Sequence, residues 1–315
     1  VSIDNHFDKE VKIQSEIFKN QKWAIQYYKD LHRLETEYFP YIFEKSKAEF
    51  KSPYININED SLRKTIPMNS SRFKKENPQK IFFFGGSTMW GIGSRDNATI
   101  PSQASKLLIE KGYNIEVYNY GQPGYTNTQE LFYLIIELQN GNMPGVVVFY
   151  DGVNDVYSSL INQKAGFPLG NSEKEKQFNN KNKINLINAF SNSKKLIRKL
   201  FYNIYSQIIK KMRVLSIDDE KIYNETAEIY LNNIKIIKLL SEKYDFDVIF
   251  YWQPDKSSKK ILSNDEKKIW PSTPGIIKYY ANITGIVKKS KEVNDLSGIF
   301  DDYNHSIFID WNHIS

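Results

Sequence analysis

The chain of 315 residues carries 43 Lys+Arg against 37 Asp+Glu, with 40% hydrophobic and 14% aromatic residues, a globular composition with ample material for a core. Its formal charge of +6 is too dilute over this length to be the electrostatic footprint of a nucleic-acid binder. The absence of Cys excludes disulfides, thiolate metal ligands and a cysteine nucleophile.

Residues 1–78 read as an N-terminal helical extension, because Trp23, Tyr27, Leu31, Leu34 and Tyr38 recur on one helical face. Core packing is expected of that stripe. Pro40 interrupts it, and the stretch from Pro53 to Pro67 reads as an extended connection. From residue 79 the texture changes to short apolar runs: Lys80–Phe84, Ile115–Tyr118, Val146–Tyr150, Asp247–Trp252 and Ile307–Asp310. These are expected to be five buried parallel strands. Helical patterns fall near 101–112, near 127–140 with Thr126 or Asn127 as cap, and near 224–243. The alternation predicts an α/β fold, a three-layer α/β/α sandwich of flavodoxin-like kind, over residues 79–315.

That domain is expected to carry a helical insertion at about 156–222. Within it, residues 171–185 are Asn/Lys-rich and read as a mobile surface loop. Residues 194–213 then form the strongest amphipathic pattern in the chain, an apolar stripe bordered by Lys194, Lys195, Arg198 and Lys199. It suits a lid packed on the core, or an interfacial helix making peripheral contact with an anionic membrane. No apolar run approaches the roughly 18 residues of a spanning helix. Val1 opens no charged-then-apolar leader, so a soluble chain is expected.

The first strand runs straight into Gly85-Gly-Ser-Thr-Met-Trp-Gly91. A phosphate-binding P-loop requires Lys-Ser/Thr after its last Gly, but Ile92-Gly93 follows Gly91. A dinucleotide fingerprint from Gly91 requires a further Gly where Asp96 stands. Two readings remain, an ordinary turn and a nucleophilic Ser87 at a strand-to-helix bend. Asn119-Tyr-Gly-Gln-Pro-Gly124 follows the second strand and Asp151-Gly-Val-Asn-Asp155 the third. Ligands of open α/β sheets collect at these carboxyl ends. Gly124 is also a turn residue and Asn154 a helix cap, but with Ser87 they suit an oxyanion hole of two backbone N–H groups and one amide.

An activated Ser needs a base, and the chain holds His6, His32, His305 and His313. His305 follows Asp302, and His313 follows Asp310, each at i−3. Asp310 ends the apolar run from Ile307, whereas Asp302 lies in a polar stretch, so the expected pair is Asp310/His313 with His305 on a surface loop.

Taken together, Phe84-Gly-Gly-Ser-Thr-Met-Trp-Gly91, Asn119–Gly124, Gly152-Val-Asn-Asp155 and Asp310-Trp-Asn-His313 resemble the four blocks of the SGNH hydrolases, the GDSL-like esterase superfamily. The resemblance implies nucleophile Ser87, oxyanion donors Ser87, Gly124 and Asn154, and base His313 oriented by Asp310, with no cofactor and no metal. Gly86 departs from the pattern, standing where the usual Gly-Asp-Ser has Asp. The chain also reaches Ser315 two residues after His313, where the family usually continues into a final helix. The Gly-Gly-Ser-Thr subgroup is associated with bacterial surface polysaccharides. An acylated carbohydrate is therefore the expected substrate and partner, and the cell envelope or periplasm the expected location. Trp90, Trp252 and Gln253 are candidate substrate contacts, with buried packing the other reading of the two Trp. The expected reaction is serine-esterase removal of a short acyl group, acetyl above all, through an acyl-enzyme. An O-acyltransferase would use a sugar hydroxyl in place of water, and a non-catalytic glycan-binding envelope protein would keep only the fold.

Overall fold

Helical spacing holds near the N-terminus only as far as Leu31. Helix α1 (Lys22–Leu31) buries Ala24, Tyr27 and Tyr28, after which the chain forms an antiparallel hairpin of β1 (Thr36–Phe39) and β2 (Phe43–Ser46). The expected helical reading of this region is corrected here: Leu34 lies beyond the helix, and Tyr38, on β1, is 74% exposed. Pro40 ends β1, and Thr36, Tyr38 and Phe39 are β-branched or aromatic, which favours a short strand. The chain beyond the hairpin is extended and irregular, joined by isolated bridges Lys51–Asn56 and Ile57–Arg63. The computed structural model describes residue 18 and residues 21–66, 76–179, 220–268, 274–310 and 312–314.

The main sheet has five parallel strands, β3 (Gln79–Gly85), β4 (Ile115–Asn119), β5 (Val146–Asp151), β6 (Asp247–Trp252) and β7 (Val293–Asp295), in the spatial order β4-β3-β5-β6-β7. Side chains alternate between its faces. Phe82, Phe84, Val147, Phe149, Phe250 and Trp252 point into one core, while Ile81, Phe83, Ile115, Val117, Val148 and Tyr150 point into another. Ring stacking runs across the strands from Tyr120 to Phe84 (4.9 Å), Phe149 (5.2 Å) and Phe250 (5.3 Å). Each such pair adds about 0.5–1.5 kcal/mol beyond burial and fixes the register. That register brings the carboxyl ends of neighbouring strands level, with Gly85 opposite Tyr150 and Asp151 opposite Trp252.

Helices cover both faces. After β3 come α2 (Ser87–Trp90) and α3 (Ile100–Glu110), then α4 (Asn127–Gln139), α5 (Val153–Asn162), α6 (Asn171–Asn179), α7 (Glu220–Tyr244), α8 (Asn264–Lys268) and α9 (Pro274–Val287). Residues of α4, α5, α7 and α9 fill the larger core, and α3 packs over the smaller. Thr126 caps α4 through a capping box with Gln129.

Two expectations change. The fifth strand is Val293–Asp295, not Ile307–Asp310. Phe308 makes one isolated bridge with Ile314, and the N–H groups of Ile307 and Phe308 go to the Glu266 carboxylate instead of a strand. Second, residues 171–179 of the expected mobile loop form helix α6, whose first turn is anchored by Ser172 donating to Asn162 Oδ1. The Glu/Lys/Gln content of that segment favours helix. Residues 180–219, with the expected amphipathic helix at 194–213 and its membrane contact, lie outside the described residues. Among the described residues no helix is long and apolar enough to cross a membrane.

Candidate active site

Strand β3 ends at Gly85, and one residue later α2 begins at Ser87, a side chain only 5% exposed. The turn is pinned from behind by Arg63, which is itself fully enclosed. Its guanidinium donates to the carbonyls of Trp90 (3.2 Å), Gly91 (2.7 Å) and Ser94 (2.6 Å), pairs with Asp96 (3.0 Å) and stacks on the Trp90 ring at 4.2 Å. Tyr27 from α1 adds a second fastening, its hydroxyl donating to Gly91 O and accepting from Gly93 N. Irregular chain after a one-turn helix leaves carbonyls without partners, and these two side chains satisfy them.

Strand β5 delivers Asn154. Gly152 makes the corner with φ +122°, a conformation open to glycine and closed in practice to other residues. Asn154 Nδ2 then donates to Tyr125 O at 2.8 Å and packs against Gly86, so close that a Cβ there would lie 2.0 Å from it. One amide thus touches both the segment that carries Gly124 and the residue before Ser87. Gly124 sits with φ +82° in the turn between β4 and α4. The β1–β2 hairpin ties down that turn through Ser46, which donates twice to Gln122 Oε1 (2.9 and 2.8 Å), and through Tyr125 OH, which donates to Glu44 O.

Beneath Asn154 lie three buried carboxyls, Glu130, Asp151 and Asp155. Asp155 accepts the Asn127 N–H at the start of α4 (3.1 Å), and Asp151 accepts Asn127 Nδ2 (2.9 Å). Neither Glu130 oxygen meets an N–H or hydroxyl donor. Burial, reinforced by the charge of Asp151, pushes the Glu130 carboxyl well up, so Glu130 keeps its proton and shares a hydrogen bond with Asp151. Burial also raises Asp155, again with Asp151 adding to it. Among the described residues no group of three or more His, Cys, Asp or Glu is placed to hold a metal ion.

The expected base, His313, arrives from the far end of the chain. His313 Nε2 stands 2.6 Å from Ser87 Oγ, and His313 Nδ1 stands 2.5 Å from Asp310 Oδ2. The other Asp310 oxygen accepts the N–H groups of Asn312 (2.9 Å) and His313 (2.8 Å), so the carboxylate shapes the turn that aims the ring. Burial would raise the Asp310 carboxyl, but the facing imidazole and these N–H groups outweigh it and hold it below its ordinary value. An ionised Asp310 is what a ring accepting a proton at Nε2 requires.

The expected substrate contacts fare differently. Trp90 and Trp252 are fully buried. Trp90 packs with Tyr27, Ile55 and Ile57, and Trp252 Nε1 donates to Thr284 Oγ1 inside the larger core, so neither ring offers a face to a substrate. Gln253 is also buried, and its Nε2 has no hydrogen-bond partner. His305 is exposed on its loop, with no contact to Ser87. Arg63 and the carboxyl Glu130 went unread in the sequence, where each is an ordinary charged residue far from its contacts.

Fold and site together define an α/β protein with a Ser–His–Asp constellation at the carboxyl edge of its sheet. No family model and no curated protein matches the chain. Among solved structures it is similar to the acetyl xylan esterase AlAXEase, with 16% identity, 75% of this chain and 91% of that chain covered, and a TM-score of 0.43. The acetylxylan esterase Axe2 of Geobacillus stearothermophilus aligns with 14% identity over 75% and 87% of the chains at a TM-score of 0.38. TesA aligns with 13% identity over 75% and 89% at the same TM-score, 0.38. At such scores the likeness carries no weight for the chemistry of this chain, which rests on its own geometry.

Proposed function

We propose that this protein is a serine ester hydrolase that removes a short acyl group, acetyl above all, from a carbohydrate. The observation that carries the reading is the continuous hydrogen-bonded line from Ser87 Oγ through His313 to Asp310. In the proposed reaction His313 Nε2 takes the Ser87 proton as Oγ bonds to the ester carbonyl carbon. Negative charge gathers on the carbonyl oxygen, and the backbone N–H groups of Ser87 and Gly124 with the Asn154 amide receive it. The second N–H of Asn154 Nδ2 is available for this, the first being committed to Tyr125 O. The C–O bond to the sugar then breaks as His313 returns the proton to the departing alkoxide. Water, deprotonated by the same ring, releases the acyl group from Ser87. Asp310 stays ionised throughout and orients the ring.

The choice of a glycan ester over other esters is supported by the Gly86-Ser87-Thr88 spelling of the first block, which resembles the subgroup associated with surface polysaccharides. That resemblance also supports the cell envelope as the place of action. The test is turnover of a chromogenic acetyl ester and of an acetylated glycan by wild type and Ser87→Ala. Loss of both activities in a folded Ser87→Ala protein is the expected result, and wild-type-like turnover in that variant would overturn the assignment. Acyl transfer to an added sugar in preference to water would move the reaction to the transferases.

A further inference from the structure

The Asp310–His313 segment is not part of a strand, yet it must hold an imidazole in place against a serine. We propose that the buried ion pair Lys259–Glu266 is the positioning element that takes the place of the missing strand and holds His313 against Ser87. The proposal rests on the catalytic reading above for its kinetic readout alone.

Both side chains are fully enclosed. Lys259 Nζ lies 3.0 and 2.8 Å from the two Glu266 oxygens and donates to His305 O at 2.6 Å. Glu266 Oε1 accepts the N–H groups of Ile307 (2.9 Å) and Phe308 (3.1 Å), while Oε2 accepts that of Ser263 (2.8 Å). Ser263 Oγ meets Ser306 Oγ at 2.8 Å. The residues gripped, 305–308, immediately precede Asp310. From there the chain folds back on itself, with Ile309 N donating to His313 O at 2.9 Å and Phe308 bridging Ile314. A strand neighbour would supply acceptors for Ile307 and Phe308 and a donor for His305. The carboxylate supplies the former and the ammonium the latter, and each neutralises the other in a buried site.

Losing a buried pair that merely stabilised the fold would lower the melting temperature and leave the chemistry of the folded enzyme alone. Positioning makes a different set of demands. Glu266→Gln keeps the shape, loses acceptor capacity and leaves the Lys259 charge uncompensated. The expected result in the folded enzyme is a kcat lower by about 10- to 100-fold, as for a small misplacement of a catalytic group. KM should stay within about twofold, because the substrate-facing groups are untouched. The low-field proton resonance of His313 Nδ1–H, bonded to Asp310, should be lost or broadened in the same variant. Lys259→Arg in the otherwise wild-type protein keeps the charge pair and is expected to retain that resonance and most of kcat. The resonance needs no substrate, so it tests the pair even if wild type proves to have no Ser87-dependent turnover, an outcome that would sink only the esterase reading. A folded Glu266→Gln protein with an intact resonance and wild-type kcat would overturn the proposal. If Glu266→Gln does not fold, the double variant Lys259→Met/Glu266→Gln, which buries no unpaired charge yet removes the donor to His305 O, is read in the same way: a weakened resonance supports the proposal and an unchanged one overturns it.

Discussion

Ser87 and His313 meet at 2.6 Å, but the chain brings each of them there on a different kind of support. Ser87 and Asn154 project from the ends of β3 and β5, where strand register and stacked rings set the backbone. Asp310 and His313 come from irregular chain outside the sheet. Charge is buried on both sides, with opposite bookkeeping. Under the base, Glu266 is ionised and matched by Lys259: burial works against the charge, but Lys259 and three N–H groups prevail and hold the carboxyl down at about 2. Under Asn154 three buried carboxyls act on one another with no cation beside them among the described residues, and burial lifts all three. The difference follows from what the backbone leaves unpaired. Loops that present carbonyls recruit Arg63 and Lys259, whereas the start of α4 presents N–H groups and recruits Asp155.

The largest expected effect falls on the His313 side. His313→Ala should lower kcat by about 10⁴- to 10⁶-fold, the scale for loss of a triad member. His305→Ala, whose exposed ring touches nothing catalytic, should change it by less than about twofold; steady-state kinetics on an acetyl ester would show the reverse order if the roles were exchanged. On the nucleophile side, Arg63→Met leaves the buried Asp96 without its cation and takes a donor away from the carbonyls of Trp90, Gly91 and Ser94. The expected cost is about 3–5 kcal/mol, read from urea unfolding. Asn154→Ala should lower kcat by about 10²- to 10³-fold with acylation of Ser87 still detectable by mass spectrometry, and an unchanged kcat would remove it from the oxyanion site.

The smallest effects separate the two sides by pH. Glu266 and Asp310 have lowered values in the folded protein, so their stabilisation is present above their unfolded values and is lost as pH falls through the folded ones, near 2 for Glu266. Glu130, Asp151 and Asp155 are raised, so their protonated forms favour folding at low pH, and stability falls as pH rises through their folded values. Glu130→Gln still donates to Asp151 through its amide. It should lie within about 1 kcal/mol of wild type near neutrality. It should also lose less stability than wild type as pH is raised above neutrality in thermal melts. A steeper loss would mean that Glu130 is not the protonated partner.

The parallel sheet was legible because Phe82, Phe84, Val147, Phe149 and Phe250 fall in short apolar runs bounded by turn residues. The same signal misled at Ile307–Asp310, since a buried apolar run records burial and not the partner of its N–H groups. Val293–Asp295 was missed because one buried Val among polar neighbours is a faint strand. Asp310 does not end a strand of the sheet, so strand position is not what sets it apart from Asp302; the geometry nonetheless brings Asp310 and His313 to Ser87. Trp90 and Trp252 adjoin the expected site in sequence but turn inward, because the alternation of a strand and the packing face of a one-turn helix decide direction. Arg63 and Lys259 act through contacts closed only by the tertiary fold, and no local pattern announces them.

The contact between Gly86 and Asn154 ties together two parts of the sequence that follow different strands, β3 and β5. A side chain at position 86 would meet the tip of the Asn154 side chain, so that amide would have to turn aside and give up Tyr125 O. The absence of a side chain at 86 is thus what lets the amide lie over the turn before Ser87, and a substitution at one position is felt at the other.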